Sequence, residues 1–197
     1  SLYGLVDDGS AKIRNGANAN LTARRTVVAG NINGMPVRSF EARQALPTNS
    51  KGWYLDLLEP PSPGTAEGER VISDAQLFGD VLIVSTVIPT ADACQADGRG
   101  YLNALDAFTG TSTGPSLFDL DGDGSFDDET LPGGGTQPGG NTQLPVGSVD
   151  LGVGMPTLAQ LLRGIGVVCG SNGNCGDIPI RDPRNVGRVS WREVLTN

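Results

Sequence analysis

Two eleven-residue segments of this chain align without gaps although they begin 84 residues apart. Residues 75–85 read AQLFGDVLIVS, and residues 159–169 read AQLLRGIGVVC. Each consists of a short apolar run, a two-residue turn and a second apolar run, as a β-hairpin does. The offset is about twice the roughly 40–50 residues of a four-stranded propeller blade, so the match indicates a β-propeller repeat.

The second of these segments has two possible secondary structures when it is taken alone. Residues 157–164, TLAQLLRG, fit a short helix that begins at a Thr157 cap and ends at Gly164. They also fit a strand that enters a tight turn at Arg163-Gly164. The alignment with residues 75–85 favours the strand, and we predict a strand here.

Turn signals recur along the rest of the chain. Its 29 glycines and 13 prolines in 197 residues predict many short elements joined by tight turns. Further strands are expected around Asn33-Gly34 and Gly79-Asp80, in GYLNALDAFTG up to Thr109-Gly110, and in GRVSWREVL. We therefore predict an all-β fold, a modified β-propeller with long surface loops. Because these strands suffice for only part of a closed propeller, residues 1–197 are expected to be a single propeller domain or a fragment of one.

The most highly charged segment is FDLDGDGSFDDET, residues 118–130. It holds six carboxylates and no lysine or arginine, so it carries −6 of the chain's net charge of −8. The remainder is nearly neutral and has no basic cluster, which argues against nucleic acid as a partner. A glycine-rich and proline-rich stretch follows, and residues 132–145 are expected to form a flexible loop.

The acids of this segment match the spacing D-x-D-x-D-G-x-x-D. Carboxylates at the first, third and fifth positions can converge as the chain curls, and Gly124 at the sixth position permits the sharp turn. Hard oxygen donors in a flexible loop suit Ca²⁺ better than Mg²⁺, which gives up its water less readily. The predicted ligands are four carboxylates and one main-chain carbonyl: Asp119, Asp121, Asp123, the carbonyl of Ser125, and Asp127.

The segment differs from a standard EF-hand in two respects. Thr130 stands at the twelfth position, where an EF-hand has a bidentate glutamate, and the flanking residues read as strands. We predict a nine-residue EF-hand-like loop without helices, with an affinity between micromolar and millimolar on the typical scale. The alternative is a solvated acidic turn that binds no ion.

The chain contains no histidine. This excludes a Ser-His-Asp or Cys-His nucleophile system and histidine-bound zinc within it. Asp56 and Glu59 are interpreted as surface charges, the alternative being a carboxylate pair, and no phosphate-binding glycine loop is present. We predict no catalytic residues and expect that the protein is not an enzyme.

The sequence CGSNGNC predicts a disulfide between Cys169 and Cys175, which five flexible residues separate. Closing so small a loop stabilises the fold by about 2–3 kcal/mol in the chain-entropy model, and a disulfide indicates an exported protein. The alternative is a pair of reduced thiols. Cys94 is left as a free thiol or pairs with a cysteine outside this sequence.

Five segments, taken in chain order, resemble one known arrangement: KGWYLDL, GERVISDAQLFGDVLIVSTVIPTADAC, GYLNALDAFTG, the acidic segment and GRVSWREVL. They are similar to the C-terminal domain of the PilY family, the calcium-binding, tip-associated proteins of bacterial type IV pili. The resemblance covers residues 51–195, whereas the first fifty residues match only in strand pattern. It implies a modified β-propeller and a nine-residue calcium loop with the five ligands named above.

The resemblance also implies a function. Family members support pilus biogenesis, the regulation of extension and retraction, twitching motility and surface adhesion. The implied partners are the remainder of the same propeller protein, minor pilins at the pilus tip and host surface receptors. The implied location is outside the cytoplasm, at the cell surface and pilus tip, associated with the outer membrane or in the periplasm.

Two other functions remain open at this point. GYLNALDAFTG also resembles the L-x-A-L-D-A-x-T-G phrase of quinoprotein dehydrogenase propellers, which bind a quinone cofactor beside calcium. A purely structural, calcium-stabilised repeat in another surface protein would carry the same acidic segment.

Overall fold

The computed structural model describes residues 1–7, 9, 20–61, 63–90, 98–133 and 142–183. These residues form fourteen strands and no helix. Accordingly, none of the described residues belongs to a helix that is long and apolar enough to span a bilayer. The strands are β1 (Leu2–Leu5), β2 (Thr22–Arg24), β3 (Thr26–Ile32), β4 (Met35–Phe40), β5 (Gly52–Leu55), β6 (Arg70–Val71), β7 (Gln76–Phe78), β8 (Val81–Pro89), β9 (Gly98–Asp106), β10 (Thr130–Pro132), β11 (Gln143–Val149), β12 (Gln160–Leu162), β13 (Ile165–Cys169) and β14 (Cys175–Pro179).

The strands form three separate sheets. The largest has the order β3-β4-β11-β9-β8-β6, with β10 paired to β11 and β7 paired to β8. Two three-stranded sheets, β1-β5-β2 and β12-β13-β14, accompany it, and only the β2–β5 pair is parallel. None of these sheets closes on itself. The prediction of an all-β fold is confirmed, and the open sheets are consistent with part of a propeller.

The two aligned segments form equivalent hairpins. In the first, β7 and β8 join through Gly79-Asp80; in the second, β12 and β13 join through Arg163-Gly164. The paired residues keep the 84-residue offset on both sides of the turn, because Phe78 opposite Val81 corresponds to Leu162 opposite Ile165. Residues 157–164 therefore contain a strand, as the alignment predicted.

The other predicted turns are present, with one change of boundary. Asn33 and Gly34 have φ angles of 50° and 84° and join β3 to β4 as a two-residue turn. Strand β9 ends at Asp106, before the predicted end at Thr109-Gly110. The Asp106 carboxylate accepts hydrogen bonds from the N–H groups of Phe108 (3.0 Å) and Thr109 (2.9 Å), so a side-chain-capped turn replaces the last part of the predicted strand.

Among the described residues, two apolar clusters form the core. The smaller one surrounds Trp53, whose indole nitrogen donates to the carbonyl of Ala107 at 3.0 Å. The larger one fills the space between the main sheet and the β12-β13-β14 sheet and includes Leu117, Phe118 and Leu120. These three residues are at most 6% exposed. The acidic segment therefore begins inside the core.

The predicted disulfide is present. Cys169 and Cys175 join the ends of β13 and β14, where they are also directly opposed in the strand register. Cys94 and the segment GRVSWREVL lie outside the described residues, as do residues 134–141 of the predicted 132–145 loop. At the two ends of that loop, Pro132 and Gln143 are paired in neighbouring strands.

A cluster of buried charge lies on the main sheet. The Arg38 guanidinium makes two 2.8 Å hydrogen bonds to the Glu69 carboxylate and stacks 3.6 Å from the centre of the Tyr101 ring. Glu59 approaches Arg38 to 3.3 Å while its side chain stays 24% exposed, so this surface charge also pairs with the buried guanidinium. Burial lowers the pKa of Arg38, but the hydrogen bonds and negative charge of Glu69 outweigh this effect and leave the pKa above its usual value. We call Arg38, Glu59, Glu69 and Tyr101 the arginine cluster.

Candidate metal centre

The acidic segment is fixed to the core at both ends. At its start, Phe118 forms a bridge with Ile180, and the N–H of Asp119 donates to the carbonyl of Pro179 at 3.1 Å. At its end, strand β10 begins at Thr130. Only the second flank is a strand, because residues 111–117 before the segment form no strand and Phe118 makes a single bridge instead of a ladder. The charged residues thus form a loop between two anchored positions.

The first turn of the loop is built around Asp119. Asp119 is 5% exposed as a whole residue. Its carboxylate accepts hydrogen bonds from the N–H groups of Gly122 (2.6 Å) and Gly124 (3.0 Å). Gly122 and Gly124 have φ angles of 79° and 85°, in the left-handed region that favours glycine. The sharp turn predicted at Gly124 is therefore present, and Gly122 contributes to the same reversal of the chain.

The next two acids each hold the backbone two residues further on. The Asp121 carboxylate accepts from the N–H of Asp123 at 3.1 Å, and the Asp123 carboxylate accepts from the N–H of Ser125 at 2.6 Å. The hydroxyl of Ser125 in turn receives the N–H of Asp127 at 3.4 Å. These local bonds orient alternate side chains, as short Asx turns do.

The carboxylates form two overlapping groups in which the oxygen atoms lie within 4.8 Å of one another. The first comprises Asp119, Asp121 and Glu129; the second comprises Asp121, Asp123 and Asp128. Of the four predicted carboxylate ligands, Asp121 is grouped with Asp119 in the first set and with Asp123 in the second, and neither set contains both Asp119 and Asp123. Asp127 belongs to neither group.

Sequence reasoning missed two members of these groups, Asp128 and Glu129. Glu129 is the buried one. It stands at the eleventh position of the loop, one residue before the place of the EF-hand glutamate, so the motif did not select it. Its residue exposure is 3%, and its Oε1 atom accepts hydrogen bonds from the N–H groups of Leu120 (2.5 Å) and Asp121 (3.1 Å). The available signal was its position between an acidic loop and an apolar strand, where a charged side chain needs a specific partner.

The electrostatics of the loop favour a cation. Burial raises the pKa of Glu129; hydrogen bonds from Leu120 and Asp121 oppose this effect, the charges of Asp121 and Asp128 add to it, and the pKa lies above its usual value. In the part of the chain that the structure describes, no salt bridge joins a lysine or arginine to a loop carboxylate. A donor set made entirely of oxygen suits a hard ion such as Ca²⁺, Mg²⁺ or Mn²⁺. The residues present therefore fit a divalent metal ion.

Comparisons with known proteins identify relatives of this chain. No family model matches it. The type IV pilus biogenesis factor PilY1 homolog of Xylella fastidiosa is 33% identical over 196 residues, which is 99% of this chain and 15% of the relative. The type IV pilus biogenesis factor PilY1 of Pseudomonas aeruginosa is 31% identical over 147 residues, which is 75% of this chain and 12% of the relative. The chain belongs to the PilY1 family.

A solved structure shows the same fold. The crystal structure of the Pseudomonas aeruginosa PilY1 C-terminal domain matches with a TM-score of 0.64 and 22% sequence identity. The match covers 92% of this chain and 37% of the solved chain. The sheets described above therefore correspond to part of a PilY1 C-terminal β-propeller, and the chain spans less than a sixth of the curated PilY1 relatives.

Proposed function

We propose that the acidic loop binds one Ca²⁺ ion and that this ion fixes the loop against the propeller core. The carboxylates of Asp119, Asp121 and Asp123 would hold it, with the Ser125 carbonyl and Asp127, directly or through water. The observation that carries the proposal is the convergence of buried and exposed carboxylates without a basic partner among the described residues. When bound, the ion supplies positive charge that removes the mutual repulsion of these groups.

The proposed biological role is that of a calcium-binding propeller module in a protein associated with the tip of type IV pili. The module would support pilus biogenesis, the regulation of extension and retraction, twitching motility and surface adhesion. Two relatives named as type IV pilus biogenesis factors support this proposal. It places the protein outside the cytoplasm, with the remainder of the propeller, minor pilins and host receptors as partners. No catalytic step is proposed.

The experiment that tests this role is an Asp123→Ala substitution in the bacterium that encodes the protein. Surface pili are counted in strains with and without the retraction motor, and twitching is measured in parallel. Asp177→Ala is the matched control, because Asp177 is an exposed aspartate on β14 outside the loop. We expect Asp123→Ala to change the number of surface pili while Asp177→Ala does not.

The outcome separates the proposed role from its alternatives. Normal piliation and twitching in a stably expressed Asp123→Ala strain would contradict the regulatory role and favour a purely structural calcium loop. Dye-linked alcohol oxidation by the purified protein, with the absorbance of a bound quinone, would contradict the non-enzymatic assignment and favour a quinoprotein.

A further inference from the structure

We infer that Glu129 is a positioning residue that closes the acidic loop before a cation arrives. This inference rests on the proposed function, because it concerns how the same loop is prepared for Ca²⁺. The EF-hand pattern assigns no role to the eleventh position, and the predicted ligand set ends at Asp127. The contacts of Glu129 nevertheless join the beginning of the loop to its end.

The backbone of Glu129 belongs to the rigid part of the fold. Its carbonyl accepts a hydrogen bond from the N–H of Val146 at 2.8 Å, and β10 begins at the next residue, where Thr130 pairs with Pro145. The side chain therefore extends from a backbone position that the sheet already holds. This makes it a fixed point for the more exposed part of the loop.

From that position the Glu129 side chain reaches back to the entrance of the loop. Its Oε1 atom receives the N–H groups of Leu120 and Asp121, which lie nine and eight residues earlier. Two donors on one carboxylate oxygen fix both the distance and the direction of the chain at Asp121. The adjacent carboxylate of Asp119 is held by Gly122 and Gly124. Glu129 thereby closes the segment that carries the metal-facing acids.

This closure has a thermodynamic consequence for cation binding. A loop that is open in the free protein must be ordered when the ion binds, and that ordering reduces the affinity. A loop that Glu129 already holds closed loses less conformational entropy. The same contact places a third carboxylate beside Asp119 and Asp121, which increases the repulsion that the ion relieves. We assign the larger contribution to the hydrogen-bond acceptor of Glu129, which holds the loop closed, and the smaller one to its charge.

Three substitutions separate the acceptor from the charge. Glu129→Gln keeps the side-chain length and an oxygen that can accept both N–H groups, but it removes the charge. Glu129→Asp keeps the charge but is one methylene shorter. Glu129→Ala removes both. We expect the Kd for Ca²⁺, measured by calorimetry on the purified protein, to stay within about threefold for Glu129→Gln and to rise about tenfold or more for Glu129→Asp and Glu129→Ala.

Amide hydrogen exchange in the metal-free protein gives a readout that does not depend on calcium. In Glu129→Asp and Glu129→Ala the amides of Leu120 and Asp121 should exchange about tenfold faster or more, whereas Glu129→Gln should retain their protection. The Asp150 amide, which donates to the carbonyl of Pro36 at 2.9 Å outside the loop, serves as the internal control and should not change. This control distinguishes local opening of the loop from general loss of stability.

The possible results distinguish the inference from the proposed function. Unchanged protection of Leu120 and Asp121 in Glu129→Ala would overturn the inference, whether or not calcium binds. Weak Ca²⁺ binding by Glu129→Gln together with tight Ca²⁺ binding by Glu129→Asp would also overturn it, because the charge of residue 129 and not its position would then set the affinity. Failure of the unaltered protein to bind Ca²⁺ would overturn the proposed function, and the exchange experiment would still decide whether Glu129 closes the loop.

Discussion

The arginine cluster and the acidic loop both concentrate charge within one fold. They differ in whether groups of opposite charge in the protein balance that charge. In the arginine cluster a cation whose side chain is 1% exposed meets a carboxylate whose side chain is 2% exposed, and each satisfies the other. In the acidic loop five of the six carboxylates fall into two overlapping groups, and no described lysine or arginine forms a salt bridge with them. Charge that is compensated within the protein serves the fold, whereas charge gathered without compensation points to a ligand.

The largest expected effect on stability comes from removing the buried guanidinium of Arg38. Arg38→Met leaves the Glu69 carboxylate buried without its partner, and we expect a loss of about 3–5 kcal/mol in the free energy of unfolding. Chemical denaturation measures this loss. The same loss should appear in calcium and in a chelator, because the cluster needs no external ion.

A matched substitution shows whether burial is the cause. Arg25 pairs with Glu41 at 2.8 Å, but its side chain is 57% exposed. Arg25→Met should therefore cost less than about 1 kcal/mol. Equal losses for Arg25→Met and Arg38→Met would show that burial does not distinguish the two arginines.

The second-largest expected effect is the stabilisation of the folded protein by Ca²⁺. Calcium at about 100 times its Kd should stabilise the folded protein by about 2.7 kcal/mol, seen as a higher melting temperature. Asp123→Ala should abolish this gain, and Asp127→Ala should do the same if Asp127 completes the site as predicted. In a chelator Asp123→Ala should change the stability little, because it removes a repelling charge together with the hydrogen bond from the Ser125 N–H. A full calcium-dependent gain in Asp123→Ala would contradict the ligand assignment.

A structural feature can be predicted from this sequence when the residues that form it are neighbours in the chain. The hairpins at Asn33-Gly34 and Arg163-Gly164 follow from adjacent residues, and so does the turn at Gly124. Contacts between segments are harder to predict. The side-chain amide of Gln76 donates to the carbonyl of Ala159 at 2.7 Å and joins the two aligned segments, but their alignment alone does not indicate this contact.

The arginine cluster could not be predicted for the same reason. Arg38 meets Glu59 and Glu69 across sequence separations of 21 and 31 residues, which include strand β5. Glu129 is a different case, since it lies inside the recognised segment. It was missed because the EF-hand pattern counts ligand positions, whereas the contacts of Glu129 are hydrogen bonds to the backbone.

A smaller effect tests the backbone of the loop. Gly124 has a φ of 85° and no atom within 4 Å of an added Cβ, so Gly124→Ala introduces backbone strain without a steric clash. The expected cost is about 1–2 kcal/mol, with weaker calcium binding. Gly173→Ala is the control, because Gly173 has a φ of 82° and equal space in another turn. It should cost as much in stability and leave the calcium Kd unchanged.

The smallest effect is that of salt on the metal-free protein. Raising the concentration of NaCl from about 0.05 to about 0.5 M screens repulsion between exposed carboxylates and should stabilise the unaltered protein by roughly 0.5 kcal/mol more than Asp123→Ala. Salt should not alter the penalty of Arg38→Met, since that ion pair is buried. Thermal melts at the two concentrations provide the comparison, and equal salt responses of the unaltered protein and Asp123→Ala would remove the evidence for repulsion in the loop.

The most direct test of the central claim is a crystal structure of the protein grown in millimolar CaCl₂, with anomalous scattering data. The account predicts one anomalous peak in the acidic loop, with carboxylate oxygens of Asp119, Asp121 and Asp123 at about 2.3–2.6 Å from it. Well-ordered loop side chains surrounded only by water at that calcium concentration would contradict the claim.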